Sequence, residues 1–260
     1  MPELPDVENK KQYLDATSLH KDIRRAEVKD DSVLEVAPQT LKKHLESQSF
    51  EDTARTGKYL FAAVDAKWLV LHFGMTGGLS YAEDSGSIPD HTRVLFHFED
   101  GGRLAYTCQR MLGSIDMTDH PEQFIDQHDL GDDALQVNLD TFRDILNSKR
   151  GMIKTALMDQ STIAGIGNIY SDEMLYQSHI HPKTKINDLD EDQVKGLHGH
   201  MQRILNTAIS NQADPEEMPD SYLIMHRQEG ASCPNGDGTV KRIEVSGRGC
   251  YICPDCQQKQ

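Results

Sequence analysis

The strongest restriction on the fold is a change of hydrophobic period halfway along the chain. Before residue 115, apolar residues come in short β-rich runs. KYLFAAV (58–64) and WLVLHF (68–73) flank Asp65-Ala66-Lys67, and RVLFHF (93–98) and RLAY (103–106) flank Glu99-Asp100-Gly101-Gly102. Aromatic and β-branched runs broken by Asp/Gly clusters are the pattern of antiparallel hairpins. Beyond residue 137 the period becomes helical. Val194, Leu197, Met201, Ile204, Leu205, Ala208 and Ile209 share one face at 3.6 spacing, and Asp188 with Glu191 has capping-box spacing at its start. One period cannot serve both halves, so the expected class is an α+β multidomain chain. The boundaries read as a β-domain over 1–115 opened by a short helix around 5–16, a linker over 116–136, a helical domain over 137–222 broken by DPEEMPD (214–220), and a Cys-rich strand-like module over 223–260. A chain of 260 residues with 37% hydrophobic content is large enough for two cores.

No apolar run approaches the roughly 20 residues a membrane span needs. The N-terminus, Met1-Pro2-Glu3-Leu4-Pro5-Asp6, is acidic where an export signal is basic and then apolar, so the chain reads as cytoplasmic with no membrane partner. The net charge of −15 argues against a polyanion partner when taken alone. The charge is uneven, however. Residues 114–148 carry nine carboxylates against Arg143, while residues 225–260 carry five cations against four carboxylates. An acidic body with a locally positive face is compatible with DNA.

Three motifs carry chemistry. Removal of Met1, which a small second residue favours, would expose Pro2 as a secondary amine. An α-amine has a pKa of about 8, so a useful fraction is an unprotonated nucleophile at neutral pH. Glu3 and Asp6 put carboxylates beside it for proton transfer. The plainer reading of MPELP is a chain start with two turn-forming prolines. The second motif, Ala164-Gly165-Ile166-Gly167-Asn168-Ile169-Tyr170, places glycines before a helix that follows the helix-like 152–159. Backbone N–H groups there can approach a phosphate, with Asn168 adding a side-chain contact; an ordinary tight turn is the commoner use. The third is the tail. Four of the five cysteines, Cys233, Cys250, Cys253 and Cys256, fall in the last 28 residues. In a cytosolic chain this clustering points to zinc more than to disulfides. Gly236 occupies the position that would complete a first C-x₂-C knuckle, and Arg248 precedes the second at a turn between strands.

Together these motifs resemble the formamidopyrimidine-DNA glycosylase/endonuclease VIII family. The resemblance runs in order through MPELPDVE, TGKYL (56–60), HFGMTG (72–77), RMLG (110–113), AGIGNIYSDEMLYQSHIHP (164–182) and GRGCYICPDCQ (247–257). It implies an N-terminal antiparallel β-sandwich and a C-terminal helix–two-turn–helix domain with a zinc-ribbon-like β-hairpin, with damaged double-stranded DNA between them. It also implies a monomeric base-excision-repair DNA glycosylase and AP lyase. In that frame Pro2 is the nucleophile and Glu3 handles protons at the sugar. Lys58 and Arg248 grip phosphates, and Asn168 holds a flanking one with Gly167 and Tyr170 beside it. Asp6 contacts the lesion, and Met75, Arg110 and Leu112 fill the gap a flipped nucleotide leaves. Without the resemblance, Met75 and Leu112 read as core residues.

The chain departs from the family pattern at several places. Asp6 stands where Glu is usual, shortening that carboxylate. Met111-Leu112 replaces an Arg-Phe pair, which puts the reading of the opposite base in doubt. The short stretch 212–222 lacks a longer loop found in 8-oxoguanine-specific members, which favours oxidised pyrimidines or a broad range. Gly236 removes a zinc ligand. Either Cys250 joins Cys233, Cys253 and Cys256, or three cysteines hold the ion with a water or another residue; loss of zinc is a third outcome. Two competing functions remain: a damage-binding protein without catalysis, which would not need Pro2, Glu3 and Lys58, and a metal-dependent hydrolase, whose His179 and His181 fall instead within the family's SHIHP segment.

Overall fold

The N-terminal dipeptide Pro2-Glu3 runs directly into the first helix. Pro5 suits an N-terminal helical turn, where a missing N–H costs nothing. Glu3 caps the helix in a capping box: its side chain accepts from the Asp6 N–H, and Asp6 Oδ2 accepts from the Glu3 N–H at 2.9 Å. The computed structural model describes residues 2–83, 86–236 and 238–258. Met1, and Asp237 and Lys259 of the tail's charge count, lie outside them.

The chain separates into two units, Met1–His128 and Asp129–Gln260. The first contains α1 (Leu4–Ser18), β1 (Asp22–Val28), α2 (Pro38–Leu45), β2 (Gln48–Ser49), β3 (Asp52–Thr56), β4 (Tyr59–Val64), β5 (Lys67–His72), β6 (Gly77–Ala82), β7 (Thr92–Phe98), β8 (Arg103–Cys108), β9 (Ser114–Thr118) and α3 (Pro121–Gln127). The strands form two antiparallel sheets, ordered β2-β1-β7-β8-β6 and β3-β4-β5-β9. Ile23, Phe96, Phe98 and Leu104 from one sheet and Leu60, Val64, Leu69 and Leu71 from the other belong to a single buried cluster, joined by Val7 and Leu14 of α1. This is the antiparallel β-domain expected from the short apolar runs, in the sandwich form that the family resemblance implies. Both expected hairpins form, β4–β5 around Asp65 and β7–β8 around Gly101.

The stretch 116–136 is not a bare linker. β9 completes the second sheet through five residue pairs with β5, and α3 lays Phe124 against Phe61 and Tyr59. The many carboxylates there disguise a strand and an amphipathic turn anchored by buried Phe124.

The second unit contains β10 (Asp132–Asp133), α4 (Leu139–Ser148), α5 (Ile153–Met158), β11 (Ile163–Ala164), α6 (Asn168–Gln177), α7 (Glu191–Ser210), β12 (Lys241–Val245) and β13 (Arg248–Ile252). α6 packs against α5, α7 and the β12–β13 hairpin, so the Cys-rich tail belongs to this unit. α7 buries Val194, Leu197, Met201, Ile204, Leu205 and Ala208, the face expected from the 3.6 period. Its capping box is Asp190 with Gln193, not Asp188 with Glu191. The same D-x-x-acceptor spacing recurs two residues later, and Asp188 is taken up in a 3₁₀ turn, Ile186–Asp188. Among the described residues no helix is long and apolar enough to cross a membrane.

Candidate active site and metal centre

In the first unit Pro2, Glu3 and Asp6 lie at the start of α1. Glu3 is 2% exposed and Pro2 is half-buried. The capping box ties Asp6 to the backbone of Glu3, so this carboxylate orients the helix start. Lys58 follows Gly57 in the tight β3–β4 turn and is 9% exposed. An ion pair between buried Arg55 and half-buried Glu8 docks that turn onto α1: Arg55 Nε donates to Glu8 Oε2 at 2.7 Å, while Arg55 Nη1 donates to the Gly57 carbonyl at 3.1 Å. Glu8 and Arg55 therefore position Lys58 against the helix that starts at Pro2-Glu3. The sequence reading missed both, because an E…R pair 47 residues apart has no local signature. It also missed His72, whose ring packs 4.9 Å from Tyr59 and whose pKa burial lowers, with the Lys58 charge adding to the effect. Lys10, one turn beyond Asp6, lies over the Phe73 ring at 5.4 Å; burial lowers its pKa against the opposing pull of Asp6.

Met75, Arg110 and Leu112 come from two loops that the structure brings into contact. Gly74 has φ +56°, and a Cβ there would stand 2.3 Å from the Leu112 carbonyl carbon. Only a residue without a side chain permits this approach. Arg110 N–H donates to Thr76 Oγ1 at 3.1 Å, closing the same contact. Met75 is 39% and Leu112 54% exposed, so neither is the core residue that the plainer sequence reading favoured. Large apolar side chains left exposed on two touching loops are candidates for a binding surface.

In the second unit the centre is Asp172 of α6, whose carboxylate is fully buried and accepts four bonds. Lys154 Nζ donates to Oδ1 at 2.6 Å and the Cys250 thiol to the same oxygen at 2.8 Å; Arg227 Nη2 donates to Oδ2 at 2.7 Å and the Tyr251 N–H at 3.1 Å. Lys154 also donates to Ser171 Oγ at 2.8 Å and the Asn168 carbonyl at 3.3 Å, which uses all three of its protons. This network locks α5, α6 and the β13 strand together. It brings Asn168 and Arg248 into one neighbourhood: Asn168 Nδ2 donates to the Gly249 carbonyl at 2.9 Å, next to exposed Arg248 at the Ser246-Gly247 turn. Arg248, Lys154, Thr155 and Ser246 line a cavity of about 210 Å³ between α5 and the hairpin. Gly167 caps α6. Tyr170, expected at the DNA, is instead 5% exposed, because one helical turn places it on the inner face of α6.

Cys233, Cys253 and Cys256 converge, with all three sulfurs within 4.8 Å of one another. Tetrahedral zinc at a Zn–S distance of about 2.3 Å needs S···S separations of about 3.8 Å. The Cys233–Cys256 separation of 3.5 Å is close to that, so the donor set fits a thiophilic ion. Cys250 does not join the cluster. Its position in β13 faces Val245 and Ile252, and it gives its proton to Asp172. Burial, with the Asp172 charge adding, pushes its pKa well above the usual thiol range, which keeps it a thiol rather than a ligating thiolate.

A profile of the formamidopyrimidine-DNA glycosylase N-terminal domain matches residues 1–115, and one of that enzyme's H2TH domain matches residues 130–218. Formamidopyrimidine-DNA glycosylases of Streptococcus pyogenes serotype M6 and Mycoplasma mobile are each 32% identical, over 100% of both chains and 99% of both chains respectively. Among solved structures, the Lactococcus lactis enzyme in complex with FAPY-dG-containing DNA superposes with a TM-score of 0.90 at 28% identity, covering 99% of this chain and 100% of that one. The same enzyme bound non-covalently to DNA with an AP site gives a TM-score of 0.89, at the same identity and coverage. The chain belongs to the formamidopyrimidine-DNA glycosylase family.

Proposed function

We propose that the protein is a DNA glycosylase and AP lyase that removes oxidised bases from double-stranded DNA. The observation that carries this reading is the N-terminal constellation, in which Pro2 and Glu3 start a helix docked by Glu8–Arg55 against the turn bearing Lys58. With Met1 removed, the Pro2 amine attacks C1′ of the damaged nucleoside. The C1′–N bond to the base breaks and the base leaves with a proton; O4′ then takes up a proton, the C1′–O4′ bond opens, and Pro2 nitrogen and C1′ form an iminium. Glu3 moves protons at the sugar. The iminium acidifies the C2′ hydrogen; loss of that proton expels the 3′ phosphate, and a second elimination expels the 5′ phosphate. Lys58 holds the phosphate beside the lesion, and Asn168 with Arg248 hold flanking ones. Met75, Arg110 and Leu112 occupy the space of the extruded nucleotide. Zinc on the cysteine cluster would supply rigidity to the hairpin and no chemistry at the lesion.

One feature supports a substrate range of oxidised pyrimidines or mixed lesions: the segment after α7 is a short 3₁₀ turn, Pro215–Glu217. The test is borohydride trapping on duplexes carrying an abasic site, 8-oxoguanine or an oxidised pyrimidine. An adduct located at Pro2 is the expected result, and the most reactive duplex names the substrate class. No adduct with any duplex, from protein verified to start at Pro2, would leave the damage-binding reading as the better one.

A further inference from the structure

The cysteine cluster has three thiols, and the place of a fourth ligand is open. A Cβ built at Gly236 would stand 3.9 Å from Cys256 Sγ with no nearer neighbour, so a cysteine side chain there would reach the cluster without a clash. Among the described residues no fourth His, Cys, Asp or Glu ligand atom lies within 4.8 Å of all three sulfurs. Cys250 is bonded to Asp172, and His179 Nδ1 lies 3.3 Å from the Cys256 carbonyl. One group does touch the cluster. Tyr176 Oη lies 3.0 Å from Cys233 Sγ and accepts the Asn235 N–H at 3.1 Å. When Cys233 ligates as a thiolate, the proton on this contact is the tyrosine's, so the hydroxyl donates to the sulfur. Tyr176 thus acts on the ligand and not on the ion, as a partner that orients Cys233.

We propose that Cys233, Cys253 and Cys256 hold one zinc ion through three thiolates, that the Tyr176 hydroxyl orients Cys233, and that the fourth coordination position, on the Gly236 side, takes an exchangeable ligand from solution. Structural zinc sites are ordinarily closed by four protein ligands, and an open position makes an ion accessible to small donors such as thiols and imidazole. The burial of Cys233 and Cys253 among Leu223, Val240 and Tyr176 shields the thiolates on one side, while Cys256 is partly exposed. The centre therefore holds its metal in an apolar seat with one face accessible to solution.

The test is cobalt substitution of the full-length protein, read by visible and near-ultraviolet absorption in wild type, Gly236→Cys and Tyr176→Phe. Wild type should take one tetrahedral cobalt per chain, with d–d bands that shift when 2-mercaptoethanol or imidazole is added. In Gly236→Cys the sulfur-to-cobalt charge-transfer intensity should rise by about one-third as a fourth thiolate joins three, and the response to added ligand should vanish. Tyr176→Phe should keep the responsive spectrum and lose metal to a chelator about tenfold more readily. A wild-type spectrum blind to both added ligands would overturn the proposal, since a protein group would then hold the fourth position. So would a folded wild type that binds neither cobalt nor zinc. None of these readouts depends on base excision, so they stand or fall apart from the trapping experiment.

Discussion

The two units hold their site residues by different means. In the first, loops carrying Met75, Arg110, Leu112 and Lys58 rest on one apolar core shared by two sheets, and the fine placement comes from close backbone approach at Gly74 and a single ion pair, Glu8–Arg55, at the rim. In the second, Asn168 and Arg248 are tied to a fully buried carboxylate that satisfies two cations, a thiol and an amide. An apolar core tolerates substitutions that conserve volume. A buried charge network does not, because removing one member leaves the others uncompensated. The second unit should therefore be more sensitive to changes of charge, and the first to changes of shape.

The largest expected effect tests this contrast directly. Asp172→Asn keeps the shape and removes the charge, leaving Lys154 and Arg227 without a counter-ion; it should cost about 4 kcal/mol in urea denaturation. A loss below about 1 kcal/mol would mean that the network is not what holds the second unit. Gly74→Ala changes shape without charge. It adds a methyl 2.3 Å from the backbone of Leu112 at φ +56°, and should cost about 3 kcal/mol and lower damaged-duplex binding.

Glu173 sharpens the comparison through pH. It accepts the Ile224 N–H at 2.9 Å and a Gln177 amide N–H at 2.8 Å, and burial pushes its carboxyl up to about 7. A folded-state pKa above the ordinary Glu value means that the folded chain binds the extra proton. The stabilisation from that proton is complete below about pH 4.5 and is lost as pH rises through 7, a difference of about 3 kcal/mol. Glu173→Gln should flatten the pH dependence of stability between 5 and 8, and raise stability at pH 8. An unchanged slope would place the charge cost elsewhere. The smallest stability effect is expected at Leu112→Ala. With 54% of Leu112 exposed, stability should change by less than about 0.5 kcal/mol, while excision from duplex DNA falls about tenfold. Equal losses of stability and excision would make Leu112 a packing residue after all.

Much of the site was legible because its signals are local. Pro2-Glu3, the turn before Lys58, the glycines ahead of Asn168 and the Cys-x₂-Cys knuckle each lie within a few residues of sequence. The burial of Tyr170 was not legible because a motif does not say which side of a helix faces the core. Cys250 was left open between two roles for a related reason. Strand alternation sends it to the face opposite its neighbours, and the acceptor it finds, Asp172, is 78 residues away. The stretch 116–136 was misread as a linker because its carboxylates outnumber the few apolar residues that place β9 and α3.

By itself the sequence determined the period of each half, the hairpin turns, the buried face of α7 and the identity of the chemical groups, since these depend on residues two to four positions apart. Tertiary structure alone decided the partners: Glu8 with Arg55, Asp172 with Lys154, Arg227 and Cys250, and Tyr176 with Cys233. A buried polar group must be paired by whatever the fold brings within about 3 Å, and chain separation does not set that distance.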